Sequence, residues 1–182
     1  VAGAEAEGRD GQWIKLVGNS SRQQANGHYD GYSARTSGLV WGTDTRLNPD
    51  TLLGLGLSAT NTSVDQRDFR AGQGHTIRSY ELAGYGAYQF NANVYGEASL
   101  SYANHNITGS RLTALDRMAR ADYDANQITA RVGLGYRHVL TEKQTLTPMV
   151  NLESSRLRTD AYNETGADAL SLKFNAHSVT RN

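Results

Sequence analysis

Residues that often carry out chemistry are present in this chain, but their spacing builds no reactive site. The five histidines share no metal-ligand spacing and are predicted on loops or strand ends: His28, His75, His105, His138 and His177. The chain has no cysteine to supply a thiolate and no Gly-x-Ser-x-Gly sequence to present a serine nucleophile. The sequence therefore predicts no metal site, no cofactor and no enzymatic activity.

Closely spaced glycines occur in pairs that could be mistaken for a phosphate-binding loop. The pairs are Gly54/Gly56, Gly84/Gly86 and Gly133/Gly135. None completes the Gly-x-Gly-x-x-Gly pattern, and each lies inside a predicted strand rather than before a helix. We interpret them as places where a strand bends or leaves room for neighbouring side chains.

A set of polar side chains instead shares one face of successive predicted strands. Such groups could line an aqueous channel or form salt bridges that stiffen its wall, and the sequence leaves both roles open. The set predicted to point into a lumen consists of Lys15, Glu81, Tyr85, Glu97, Arg131, Arg137, Glu153 and Lys173.

The elements that position these residues are strands, because apolar and polar residues alternate with a period of two. The clearest alternation runs from Gln127 to Leu140. Eight strands are predicted, at 12–18, 33–46, 53–60, 78–90, 94–103, 127–140, 145–155 and 170–177. Short turns alternate strictly with longer connections. The sequence therefore predicts tight turns at one end of the sheet and longer loops at the other.

The opposite face of these strands is apolar and is predicted to face lipid. Its members are Leu53, Leu55, Leu57, Leu100, Tyr102, Ile128, Val132, Leu134, Tyr136, Val150 and Leu152. Tyr80, Tyr88 and Trp41 join Tyr102 and Tyr136 as candidates for interfacial aromatic girdles. A transmembrane β-barrel requires this pattern, since it pairs every backbone group and alternates lipid-facing with lumen-facing residues.

Composition agrees with this interpretation and excludes other classes. The 182 residues suit a single domain, and 18 basic against 18 acidic residues leave no positive excess for nucleic acid. Mean hydropathy is −0.58. The sequence has no continuous apolar stretch near the length of about 20 residues that a membrane helix needs. A soluble β-barrel or sandwich remains possible from the pattern alone, although only 3 Phe are available for its core.

Several segments, in order, resemble the autotransporter β-domain, the translocator barrel of type V secretion proteins. The most specific is 162–172, similar to the family's Tyr-x-Glu-Thr-Gly-Ala-x-x-Leu-x-Leu segment. Further similarity lies in 12–18, 37–44, 79–88, 130–137 and 146–150. The resemblance implies an antiparallel up-and-down transmembrane β-barrel with about eight of an expected twelve strands present.

The resemblance also implies domain bounds and partners. Residues 1–11 are expected to be a linker or a stub of the family's pore helix, and residues 12–182 a barrel domain incomplete at its C-terminus. The expected partners are outer-membrane lipid, the protein's own passenger and pore helix, and the outer-membrane barrel assembly machinery. The implied function is to anchor an N-terminal passenger in the outer membrane of a Gram-negative bacterium and permit its export. The alternatives are a passenger-less outer-membrane pore or adhesin barrel, and a soluble ligand-binding β-barrel.

Overall fold

The computed structural model describes residues 11–25, 31–66, 73–113, 115, 117–142 and 144–182, and these are almost entirely β-strand. Beside the strands lies a three-residue 3-10 helix, Asp168–Leu170. The strands are β1 Gly11–Gln23, β2 Tyr32–Asn48, β3 Thr51–Gln66, β4 Gly74–Gln89, β5 Val94–Leu112, β6 Met118–Tyr136, β7 His138–Thr141, β8 Gln144–Leu146, β9 Met149–Thr159, β10 Tyr162–Asn163, β11 Lys173–Phe174 and β12 His177–Arg181. Within the described residues, no helix is long and apolar enough to cross a membrane.

The principal sheet has eight antiparallel strands in the order β1-β2-β3-β4-β5-β6-β9-β12. Each strand pairs with the next strand of the sheet along the chain, so the topology is an up-and-down meander as predicted. The register is continuous over long stretches, from Val94↔Tyr136 to Leu112↔Met118 in the β5–β6 pair. One irregularity interrupts the β2–β3 pair, between Arg46 and Asn48.

Several predicted strand boundaries are wrong, and three of the differences affect the candidate site. The eighth strand of the sheet is His177–Arg181 rather than 170–177, and the segment before it forms the 3-10 helix and β11. The sixth strand ends at Tyr136, and His138–Thr141 forms a separate hairpin with Gln144–Leu146. The strict alternation of short and long connections is therefore wrong, since twelve residues join β6 to β9 where a tight turn was predicted. Most of the segment 104–126 between the fifth and sixth predicted strands is strand, because β5 continues to Leu112 and β6 begins at Met118.

These longer strands explain two further corrections. His105 lies inside β5 rather than on a loop or at a strand end, whereas His75 is the second residue of β4 and so lies at a strand end. Polar residues such as Asn106 and Thr108 were predicted as loop because they break the apolar alternation. Their backbone is nevertheless paired across the sheet on both sides, which satisfies its hydrogen bonds.

The sheet has no dry core of large side chains. The buried hydrophobic residues are alanines: Ala103, Ala119, Ala121, Ala125 and Ala167. A soluble sandwich would bury the leucines and valines of one face against a second layer. The described part of the chain contains no such layer, and most of its large apolar side chains are exposed.

Candidate functional site

The strand registers determine which residues share a face, because directly opposed residues in adjacent strands point the same way. All eleven residues predicted to face lipid lie on one face of the sheet, here called the apolar face. Their side chains are exposed, from 44% for Leu53 to 70% for Leu152. The girdle candidates Tyr80, Tyr88 and Trp41 lie on the same face.

The apolar face carries a band of limited height. On β6 it extends from Ile128 to Tyr136 and on β5 from Tyr102 to Val94, which matches the about 9–11 residues of a membrane strand. Beyond Tyr102 the same face of β5 presents Asn104 and Asn106. Both strands therefore project well past the apolar band at the end of the sheet that carries the β1–β2, β3–β4, β5–β6 and β9–β12 connections, here called the long-loop end.

Six of the eight predicted lumen residues lie on the opposite face, here called the polar face: Lys15, Glu81, Tyr85, Glu97, Arg131 and Glu153. Arg137 and Lys173 do not belong to this set. Arg137 falls between β6 and β7, outside any strand. Lys173 lies in β11, which pairs with β10 and is not part of the principal sheet. Arg137 and Lys173 were assigned to this face because the sixth predicted strand was extended too far and the eighth was placed too early in the chain.

A row of directly opposed residues crosses the polar face through six strands. It consists of Asp44, Gly54, Tyr85, Ser99, Arg131 and Glu153, and we call it the central polar row. Sequence alternation placed several of these residues on one face, but the row depends on the register, which alternation alone does not determine.

Hydrogen bonds connect both ends of the central polar row. At one end the Tyr85 hydroxyl donates to the Asp44 carboxylate and accepts a bond of 3.3 Å from Trp13 Nε1. At the other end Arg131 Nε donates to Glu153 Oε2 at 2.9 Å, and the two side chains form an ion pair. This pair is a direct cross-strand link between β6 and β9.

Other charged residues of the polar face have no such partner. Glu81 and Glu97 form no hydrogen bond or ion pair through their carboxylates with any residue that the structure describes. The Lys15 ammonium lies 5.1 Å from the centre of the Trp13 ring, a cation–π contact within one strand. The polar face thus contains both paired charges and carboxylates open to an additional ligand.

The connection between β9 and β12 forms a second polar cluster at the long-loop end. It continues the β9–β12 hairpin, since Tyr162↔Phe174 follows the same register as Thr159↔His177. Thr165 exchanges backbone hydrogen bonds of 2.9 and 2.8 Å with Arg120 of β6. The Tyr162 ring stacks between Tyr123 and Phe174, with centroid distances of 4.0 and 4.6 Å.

Glu164 attaches residues 162–172 of this connection, here called the hairpin tip, to β5. Its carboxylate accepts bonds of 3.1 and 2.6 Å from the Arg111 guanidinium and 3.0 Å from the Leu172 backbone N–H, and its side chain is only 8% exposed. The hydrogen bond from Arg111 lowers the pKa of Glu164 below its usual value, and the same bond raises the pKa of Arg111. Both groups lie beyond the apolar band.

Gly166 and Ala167 allow the tip to turn at this point. Gly166 has a φ of 89°, in the left-handed region, and a Cβ there would lie 2.8 Å from the Met118 carbonyl oxygen. Ala167 is 1% exposed. The sequence identified 162–172 only by resemblance. Its partners Arg111 and Tyr123 were missed, because alternation stops being regular before these positions and carries no information on a contact between distant segments.

The family model described as Autotransporter beta-domain matches residues 12–181. Outer membrane protein B of Rickettsia japonica is 25% identical over 174 residues, covering 91% of this chain. An extracellular serine protease of Serratia marcescens is 30% identical over 168 residues, covering 88% of this chain. The chain corresponds to only 10% and 15% of the lengths of these relatives.

Two solved structures have the same fold. The translocator domain of the autotransporter NalP from Neisseria meningitidis matches with a TM-score of 0.82 and 17% identity, over 97% of this chain and 60% of that one. The beta domain of the Bordetella autotransporter BrkA matches with a TM-score of 0.64 and 20% identity, over 93% of this chain and 66% of that one. The profile match over nearly every residue, together with this shared architecture, places the chain in the autotransporter β-domain family, the outer-membrane β-barrels of type V secretion.

Proposed function

We propose that this domain anchors an N-terminal passenger in the outer membrane and permits its export, with the apolar face in lipid and the polar face lining the pore. The observation that carries the proposal is the separation of the two faces. Eleven large apolar side chains are exposed on one face, while six polar residues share the other. Contact with the hydrocarbon of a bilayer would remove these apolar side chains from water and so stabilise the domain. A charged side chain at the same positions would instead destabilise it.

Two roles for the pore-lining residues are assigned to different members of the polar face. The Arg131–Glu153 pair joins β6 to β9 and stiffens the wall. The carboxylates of Glu81 and Glu97, which have no ion-pair partner among the described residues, contact the pore helix and the passenger as it passes. Polar surface of this kind lets an extended chain keep its backbone solvated during passage.

The remaining parts of the proposal follow the family. Residues 12–182 belong to the barrel, and residues 1–11 are the linker or stub of the pore helix. Residues 1–10 lie outside the described part of the chain. The domain inserts with the outer-membrane barrel assembly machinery and catalyses no bond making or breaking in this segment.

The test uses the full-length protein in a Gram-negative host. Protease added to intact cells should digest the region N-terminal to this domain when residues 12–182 are present. Deletion of these residues should leave that region inside the cell and protected. Surface exposure that persists after the deletion would contradict anchoring and export. The absence of a protease-sensitive N-terminal region in the native protein would favour a passenger-less pore.

A further inference from the structure

The two boundaries of the apolar band differ in charge. At the long-loop end, arginine is the first charged residue beyond the band on the apolar face of β1, β2, β4 and β9: Arg22, Arg35, Arg78 and Arg156. At the opposite boundary the same face presents aromatic residues, with Tyr88 and Phe90 in edge contact at 5.0 Å. On this face the described strands of the principal sheet carry no lysine or arginine at that boundary.

Two of these cations form a pair on one strand. Arg156 and Arg158 lie two residues apart on β9, so both side chains are on the apolar face at a spacing of about 7 Å. Arg156 is directly opposite Ile128, the residue at which the apolar band of β6 ends on this side. Both arginines are exposed, and neither forms an ion pair or a hydrogen bond through its guanidinium with a described residue.

Hydroxyl groups flank the pair on its other side. Thr180 of β12 is opposite Arg156, and Ser178 is opposite Arg158. Below the pair, Leu152 of the apolar band lies on the same face of β9 with its side chain 70% exposed. Two guanidinium groups and two hydroxyls are therefore placed immediately beside a surface suited to an acyl chain. Guanidinium groups bind phosphate through paired hydrogen bonds.

We propose that Arg156 and Arg158, with Ser178 and Thr180, bind the headgroup of an anionic, phosphate-bearing membrane lipid whose acyl chains lie on Leu152 and Ile128. A lipid matches both parts of this surface, since it carries the phosphate and the hydrocarbon in one molecule. A soluble phosphate compound would match the arginines alone. Two acidic residues lie beyond the pair at this end: Asp124 of β6, which accepts a bond of 2.6 Å from the Asn106 amide, and Asp160, whose backbone N–H donates to the Asp124 carbonyl oxygen at 2.9 Å.

This inference rests on the proposed placement of the apolar face in lipid. The test therefore places the full-length protein in phosphatidylcholine nanodiscs that contain a minor fraction of phosphatidylglycerol. Electron paramagnetic resonance of spin-labelled lipids compares how strongly the two lipids associate with the protein. The native protein should prefer phosphatidylglycerol, and Arg156→Gln with Arg158→Gln should reduce that preference about fivefold for each arginine removed.

Three comparisons make the result specific. Arg46→Gln with Arg181→Gln removes the same charge from the polar face and should keep the preference. Arg156→Lys with Arg158→Lys keeps the charge without the paired donors and should retain part of it. Addition of inorganic phosphate should leave the preference unchanged. An unaltered preference in the glutamine variant, an equal loss in the polar-face control, or displacement by inorganic phosphate would each overturn the proposal.

A second measurement separates this inference from the proposed function. The glutamine variant should still expose the N-terminal region to protease on intact cells. A nitroxide at Leu100→Cys should be accessible to oxygen dissolved in the acyl region if the apolar face lies in lipid. If that accessibility is absent, the face assignment fails. If it is present while the glutamine variant keeps the preference for phosphatidylglycerol, only the headgroup site fails.

Discussion

The hydroxyl of Tyr85 on β4 donates a hydrogen bond to the carboxylate of Asp44 on β2, across the intervening strand β3. Gly54 is the β3 residue between them in the central polar row. A Cβ on Gly54 would collide with both the Tyr85 ring and an Asp44 carboxylate oxygen. The missing side chain at Gly54 is therefore what lets β2 and β4 bond directly, and the glycine is a requirement of side-chain packing.

Replacing this glycine should destabilise the barrel. Gly54→Ala forces the Tyr85 ring away from β3 and breaks its bond to Asp44. We expect the free energy of unfolding to fall by about 1–3 kcal/mol, the usual cost of overpacking a filled site. The change can be followed as the temperature at which the folded protein loses its distinct migration on an unheated detergent gel.

Gly56 supplies the matched control on the same strand and the same face. A Cβ there would have only the Trp41 carbonyl oxygen nearby, at 3.8 Å, which is an ordinary contact. Gly56→Ala should therefore leave the unfolding temperature unchanged or raise it slightly, because alanine reduces the entropy of the unfolded chain. Equal losses for both variants would show that backbone properties, not the Tyr85 contact, explain the glycine.

A charge placed on the apolar face should be tolerated much less than the same charge on the polar face. Leu100 and Ser101 are neighbours on β5 and point to opposite faces. Leu100→Arg should cost about 2–4 kcal/mol if the side chain enters hydrocarbon, whereas Ser101→Arg should cost little in an aqueous lumen. The amount of heat-modifiable protein in outer-membrane fractions measures both. Similar yields of the two variants would contradict the face assignment.

The hairpin tip should detach from β5 at acidic pH. Glu164 has a lowered pKa in the folded state, so its ionised form stabilises the attachment. That stabilisation is fully present above the ordinary value of 4.5 and is lost as the pH falls through the lower folded-state pKa. The protection of 162–172 against hydrogen exchange, expressed relative to the intrinsic amide exchange rate at each pH, should therefore hold at neutral pH and fall only below the ordinary pKa of a glutamate.

Two substitutions distinguish the effect of the Glu164 attachment from the effect of removing any carboxylate from the hairpin tip. Glu164→Gln should accelerate exchange of the same segment about tenfold at neutral pH, because it removes the charge-assisted bonds from Arg111. Asp168→Asn removes a carboxylate of the same tip that pairs with Arg117 while 76% exposed, and such pairs contribute little. Exchange that responds equally to both changes would exclude a specific role for Glu164.

How much of the molecule the sequence predicts depends on how local each feature is. Alternation over β3 and β6 is nearly perfect, so the face of Leu55 or Val132 follows from its neighbours along the chain. Residues 170–176 also alternate, yet they belong to the connection between β9 and β12, where Glu164 holds the chain against β5 and Tyr162 holds it against β6. Contacts between distant segments overrode the local pattern there.

The candidate site divides in the same way. Membership of Arg131 and Glu153 in one face was predictable, but their direct opposition depends on the register between β6 and β9. β6 and β9 are joined by a connection of twelve residues that contains its own small hairpin, β7–β8. The rules that relate turn length to register apply to short turns, so they do not predict the register of β6 with β9.

The unpaired carboxylates of the polar face should influence which ions pass through the pore. Glu81 and Glu97 lie on the polar face without an ion-pair partner among the described residues, so in a water-filled lumen they attract cations. In planar bilayers under a salt gradient, Glu81→Gln with Glu97→Gln should move the reversal potential of the full-length protein towards anion permeability. Glu142→Gln with Asp50→Asn removes the same charge from two exposed turn residues outside the polar face and should leave the potential unchanged. Equal shifts in the two double variants would mean that surface charge in general, and not the wall of the pore, sets the selectivity.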